Sequence, residues 1–298
     1  MEKEQQTILG FCCKYGWPSH EDEVLSYAYD KFSKWISQFT ANEKDAVLEM
    51  LNEFSYYSRD TITKCLVELS KFLETEYNIK DNALYTFIKK KEGKICSSID
   101  YWVDFRRINK LSQDYFIDDL DEFPEDSWAK VENIVIIDDC CNSGGSLDTY
   151  IKCCKKSFQG KKLYYVVVCA MQAVHENLKT IAEENDFEIV LVAKEIKQKA
   201  FMLDRVRNTC SSDAFADFSS NLGIPRNLCL GIFDSQSLMA FYNNTPNNTI
   251  GVFWLKTLRN EPIFNRRLKT TPFWEMKQDK KTREEANYNA GKARGKYE

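Results

Sequence analysis

Histidine is nearly missing from this sequence: two occur in 298 residues, and no two cysteines stand three positions apart. The chain therefore lacks the spaced Cys and His ligands of a zinc site. Apolar runs of membrane-spanning length are missing too, and the opening residues 1–6, Met-Glu-Lys-Glu-Gln-Gln, are too polar for a secretory signal. A cytoplasmic protein with no membrane association is expected. On that expectation the Asn-Asn-Thr triplets that begin at 243 and 247 carry no glycans. Positive charge is not in excess either. A net charge of −4 and a pI near 5.5 argue against nucleic-acid binding by bulk electrostatics, leaving only local basic patches. There is no internal repeat of solenoid length.

Cysteine itself is plentiful, at eleven residues, yet Cys12-Cys13, Cys140-Cys141 and Cys153-Cys154 are adjacent pairs that suit neither disulfide nor zinc geometry. They read as reduced thiols acting mostly as small apolar residues. At 43% hydrophobic, the chain can bury a substantial core, organised as roughly two structural units.

Val24, Ala28, Phe32, Trp35, Ile36 and Phe39 recur at helical spacing. So do Val47, Met50, Leu51 and Phe54, and then Ile62, Leu66, Leu69 and Phe72 behind a Ser58 cap. Three amphipathic helices are expected between residues 21 and 76. From residue 83 the pattern alternates strand, loop and helix. Strands are expected at Leu84 to Ile88, Ile134 to Ile137, Tyr164 to Ala170 and Ile189 to Ala193, and helices from Ile99, over 147–158 and over 174–185. Such repetition predicts an α/β fold with a mostly parallel sheet flanked by helices. Lys110 to Asp126 shows no periodicity and reads as a mobile loop or lid. Phe241 to Trp254 reads as an Asn/Thr/Pro turn before an aromatic strand, and the charged stretch from Lys277 as an exposed tail.

The most specific signal is residues 134–146, Ile-Val-Ile-Ile-Asp-Asp-Cys-Cys-Asn-Ser-Gly-Gly-Ser. An unbroken β-branched run fits a strand buried on both faces. Asp138 and Asp139 then fall at its carboxyl end, where open α/β sheets bind ligands, and both side chains are expected to reach solvent. Gly144 and Gly145 permit positive φ and inward-pointing amides, while Ser146 is the expected N-cap of a helix from Leu147. Carboxylates beside such a cradle suit a sugar phosphate. There is no P-loop lysine, no three-glycine dinucleotide spacing and no nucleophile-elbow serine.

This arrangement resembles the PRPP-binding motif of type I phosphoribosyltransferases, an apolar strand leading into Asp-Asp, a short spacer and Thr/Ser-Gly-Gly-Thr/Ser. The resemblance implies that Asp138 and Asp139 hold the ribose hydroxyls as the catalytic pair, and that Asn142, Ser143, Gly144, Gly145 and Ser146 wrap the 5′-phosphate. It implies Mg²⁺ as cofactor, and a pyrophosphate loop upstream, which places Gly93, Lys94, Ser97 and Ser98 as candidates. It also implies a variable hood for the base, with Asn247 and Trp254 as candidates; ordinary turn chemistry and core packing explain those two residues as well. The expected division is an N-terminal helical region over 1–78, a phosphoribosyltransferase-like α/β domain with hood over 79–275, and a charged tail over 276–298.

Asn243 to Thr249 followed by Phe253-Trp254 is also similar to the phosphoribosyltransferase-like effectors of prokaryotic conflict and retron antiphage systems. That resemblance implies a toxin restrained by a partner complex of reverse transcriptase and its RNA–DNA product. The expected function is transfer of a phosphoribosyl group between PRPP and a nucleobase or nucleotide. The alternative is a non-catalytic module that senses the same ligand. A homo-oligomer is compatible with either.

Overall fold

The computed structural model describes residues 2–16, 24–89, 96–185, 187–264 and 266. Four strands form a sheet in the order β2 (Ala83–Phe87), β3 (Asn133–Cys141), β4 (Lys162–Met171) and β5 (Glu188–Lys197), every pairing parallel. Ile134 to Ile137 on β3 and Val166 to Val168 on β4 are fully enclosed, which is what unbroken β-branched runs permit. Each such side chain stabilises the sheet by about 1.5–3 kcal/mol through burial. A second, two-stranded parallel sheet joins β1 (Ser55–Tyr57) to β6 (Met239–Phe241).

The N-terminal helices are α1 (Glu2–Tyr15), α2 (Val24–Ile36), α3 (Ala41–Glu53) and α4 (Arg59–Tyr77). Ser58 caps α4 by accepting the Thr61 amide at 3.2 Å, as its position predicts, and Asn78 closes the helix at φ 55°. Phe72, expected on the apolar stripe, faces solvent instead. Helix α1 was not expected; Ile8, Phe11 and Cys12 bury its inner side.

The expected division at residue 78 does not follow the packing. Helix α4 lays Ile62, Cys65, Leu66, Leu69 and Leu73 into the core of the four-stranded sheet. Helices α1 to α3 do not join that core; they share a second one with residues 200–264, Ala240 of β6 included. Trp35 Nε1 donates to the Val252 carbonyl at 3.0 Å, and Phe54 meets Phe253 and Phe264 at centroid distances of 4.9 and 4.7 Å. Residues 1–265 thus form one compact unit. The expected tail over 276–298 lies outside the described residues.

Among the described residues between β2 and β3 are α5 (Ser98–Asn109), two short turns of 3₁₀ helix and α6 (Glu125–Trp128). The segment expected as a mobile loop is a packed strap, since Leu111, Phe116 and Leu120 are buried and Phe116 stacks on Tyr85 at 4.8 Å. Helices α7 (Gly145–Cys153) and α8 (Lys155–Phe158) lead into β4, and α9 (Val174–Asn185) leads into β5. Beyond the sheet, α10 (Asp204–Arg207), α11 (Ser212–Asn221) and α12 (Arg226–Cys229) precede β6. Gly251 to Phe253, expected as strand, is a single 3₁₀ turn.

The two sheets are tied at the end of β5. Ser55 Oγ donates to Glu195 at 3.0 Å, the Tyr57 hydroxyl donates to the same carboxylate, and Lys197 Nζ donates to the Glu53 carbonyl at 2.7 Å.

Candidate functional site

Strand β3 runs further than its apolar segment. Pairing continues past Ile137, with Asp138 opposite Val167, Cys140 opposite Cys169 and Cys141 opposite Ala170. Asp138 is consequently buried, at 8% exposure, where an open carboxylate was expected. One of its oxygens accepts the Tyr165 hydroxyl at 2.9 Å, and the other accepts the Asp139 amide at 2.9 Å. Burial, and after it the neighbouring Asp139 carboxylate, pushes the Asp138 carboxyl well above the usual carboxylate range. Asp139 is half-buried, and its Oδ1 accepts the Cys140 amide at 2.7 Å. The pair is therefore unequal: one carboxyl is shielded and proton-retaining, the other within reach.

The following turn is made by glycine. Gly144 sits at φ 79° and ψ −7° as the N-cap of α7, so Ser146, the expected cap, is instead the second residue of the helix. A β-carbon on Gly144 would touch Leu178 and Ile181 of α9 at 3.4 Å. Ser143 Oγ accepts the Gly145 amide at 3.4 Å, and Asn177 on α9 donates to the Ser143 carbonyl at 3.0 Å, which pins the loop. Ser143, Gly145 and Ser146 are exposed. The first-turn amides of α7 lack intrahelical acceptors, so this end of the helix favours an anion. Burial first, and then the carboxylates, push the Cys140 and Cys141 thiols up, Cys141 to about 12, so both stay protonated at neutral pH.

Asp138 through Ser146 thus stand together. Two further polar atoms, the Tyr101 hydroxyl on α5 and Asn142 Oδ1, are buried and lack a hydrogen-bond partner among the described residues. Asn142 Nδ2 donates to Cys140 Sγ at 3.3 Å.

The other candidates fare differently. Gly93 and Lys94 lie outside the described residues. Ser98 is 1% exposed and its hydroxyl donates to the Ile88 carbonyl at 3.0 Å, so it anchors the start of α5 and is not offered to pyrophosphate. Ser97 precedes that helix, half-buried, with no side-chain cap bond. Nearby, Lys89 is held by Asp119 at 2.8 Å. Asn247 is half-buried, and its carbonyl accepts the Ile232 amide at 2.9 Å. Trp254 is 5% exposed with Nε1 donating to the Thr249 carbonyl at 2.7 Å; its ring is packed and not presented to a base. The exposed aromatic of that segment is Tyr242, at 45%.

Tyr101, Tyr165 and Tyr242 went unnoticed in the sequence. Only Tyr165 carried a signal: a hydroxyl inside the otherwise apolar run of β4 needs a buried partner. A groove of about 530 Å³ lies elsewhere, between α9 and the first half of β5, lined by His175, Leu178, Lys179 and Phe187 among others.

The PRTase-CE family model matches residues 32–266. Among solved structures, the chain is similar to the xanthine-guanine-hypoxanthine phosphoribosyltransferase of Helicobacter pylori. Identity there is 16% and the TM-score 0.31, over 51% of this chain and 94% of that one. It is also similar to the orotate phosphoribosyltransferase of Aeropyrum pernix, at 11% identity and a TM-score of 0.31 over 45% of this chain and 71% of that one. No curated protein sequence matches. No described helix is long and apolar enough to cross a membrane.

Proposed function

This chain belongs to the PRTase-CE family, and from that premise we propose that it is a phosphoribosyltransferase that takes PRPP, or a nucleotide 5′-phosphate in the reverse direction, as its phosphoribosyl donor. One observation carries the reading: the Asp138-Asp139 pair stands directly before an exposed, glycine-turned loop at a strand-to-helix junction. A ribose 5-phosphate spans such a junction, its hydroxyls donating to carboxylates while its phosphate accepts main-chain amides.

Transfer breaks the bond from ribose C1 to the pyrophosphate oxygen and forms a bond from C1 to a base nitrogen. No nucleophile on the protein is required, because positioning and charge stabilisation carry the step. Asp138 and Asp139 fix the ribose, and the loop from Asn142 to Ser146 fixes its phosphate. Among the described residues, no cluster of three or more His, Cys, Asp or Glu forms a protein-built metal cage. The half-buried Asp139 together with donor phosphates is the oxygen set that Mg²⁺ favours. When bound, the ion supplies charge neutralisation for the departing pyrophosphate.

A second reading, a sensor that binds the donor and does no chemistry, is favoured by the commitment of the Ser98 hydroxyl to Ile88. Pyrophosphate release from PRPP, assayed against a panel of bases and nucleotides, separates the two. Release with one acceptor supports the transferase, binding without release from any acceptor supports the sensor, and no binding refutes both. An antiphage effector role, restrained by a reverse transcriptase and its RNA–DNA product, rests on the sequence resemblance of residues 243–254 alone. Its test is growth arrest with depletion of a nucleotide pool on expression, relieved by supplying that complex.

A further inference from the structure

Tyr101 is out of place as a core residue. Its ring is buried to 3% on α5, which packs against β3, and it meets Phe241 edge-on at 5.9 Å. Its hydroxyl nevertheless has no hydrogen-bond partner among the described residues. Leaving a buried hydroxyl unsatisfied is destabilising, a cost that phenylalanine in the same pocket would avoid. After burial itself, the charge of Asp139 acts most strongly on that hydroxyl, ahead of Cys140, Tyr242 and Asp138.

The chemistry of a diol supplies what is missing. A sugar hydroxyl has one hydrogen and two lone pairs, whereas an ionised carboxylate only accepts. When a carboxylate takes the hydrogen, the lone pairs of that hydroxyl still need a donor. Tyr165 already occupies Asp138 with its own hydroxyl at 2.9 Å. Among the donors near Asp139, the Tyr101 phenol is buried with its hydroxyl uncommitted.

We propose that Tyr101 is a third member of the diol-binding set: its hydroxyl donates to the ribose hydroxyl whose hydrogen Asp139 accepts. The inference rests on the reading of Asp138 and Asp139 as ribose ligands. Of the groups that act on the phenol, Tyr242 is the exposed one, at 45%. The preference that results is for a donor with its diol intact, because a site built to bond a hydroxyl leaves its own polar groups unpaired when that hydroxyl is absent.

The test is calorimetric titration of ribose 5-phosphate and, separately, inorganic phosphate into the native protein, Tyr101→Phe and Asp139→Asn. Tyr101→Phe is expected to bind ribose 5-phosphate about tenfold more weakly, to bind inorganic phosphate as before, and to melt no lower than the native protein. Unchanged ribose 5-phosphate affinity in Tyr101→Phe, with loss of that affinity in Asp139→Asn, overturns the role of Tyr101 and leaves the acidic-pair reading standing. A lower melting temperature with equal weakening of both ligands overturns it too, by making the hydroxyl structural. Native protein that fails to bind ribose 5-phosphate overturns the proposal and the reading beneath it together.

Discussion

At the end of β5, Glu195 accepts hydrogen bonds from Ser55 at 3.0 Å and from Tyr57, and pairs with Lys197 at 3.3 Å. At the end of β3, Asp138 has a phenol and one amide, with a second carboxylate as its neighbour in place of a cation. The two ends belong to one sheet, where Cys140 stands opposite Cys169 and Cys169 opposite Glu195. Burial pushes the Glu195 carboxyl up, but Lys197, Tyr57 and Ser55 outweigh it and hold the group below the usual range. Nothing comparable offsets the burial of Asp138. A strand-end acid that serves the fold is given a cation; the acidic pair is held against its own stability, which is the pattern expected of a ligand site.

The comparison can be broken in three places. The largest effect is expected from Gly144→Val. Its φ of 79° is costly for a β-branched residue and its side chain would press on Leu178 and Ile181. Phosphate and PRPP binding should be lost, with about 1–3 kcal/mol of stability lost in denaturant titration. Retained binding would remove the loop from the site. Next is Glu195→Ala, which leaves Ser55 and Tyr57 without their acceptor. About 2 kcal/mol of stability should go while PRPP affinity stays within about threefold of native, and a selective loss of binding would erase the contrast between the two strand ends.

The smallest effect has the opposite sign. The raised Asp138 carboxyl binds its proton more tightly folded than unfolded, so it costs stability as pH climbs from the unfolded value toward the folded one. Asp138→Asn should therefore be more stable than native by about 1 kcal/mol at neutral pH, with the gap closing near about pH 4. Glu195, held low, contributes stability above the unfolded value that is lost as pH falls through its folded one. Melting curves of Asp138→Asn and Glu195→Gln across pH should therefore diverge from native in opposite directions.

The sheet was legible because Ile134 to Ile137 and the run on β4 can be buried on both faces only in a covered parallel sheet. Strand ends were not, since pairing partners decide them: β3 carries its ladder through Asp138 to Cys141, against the polarity of those residues. Ser55 to Tyr57 gave no strand pattern in three residues, and its partner β6 lies far along the chain. Periodicity also does not say which of several aromatics turns outward. Between 241 and 254 it is Tyr242 that is exposed, while Trp254 is buried. The strap over β2 was misread because widely spaced anchors, Leu111, Phe116 and Leu120, leave no repeating pattern.

The central claim, that a sugar phosphate binds at the β3 end, is tested most directly by titrating PRPP calorimetrically into the Asp138→Asn/Asp139→Asn protein. The expected result is a folded protein with no measurable heat of binding, beside a native protein that binds. Native affinity in the double variant would contradict it.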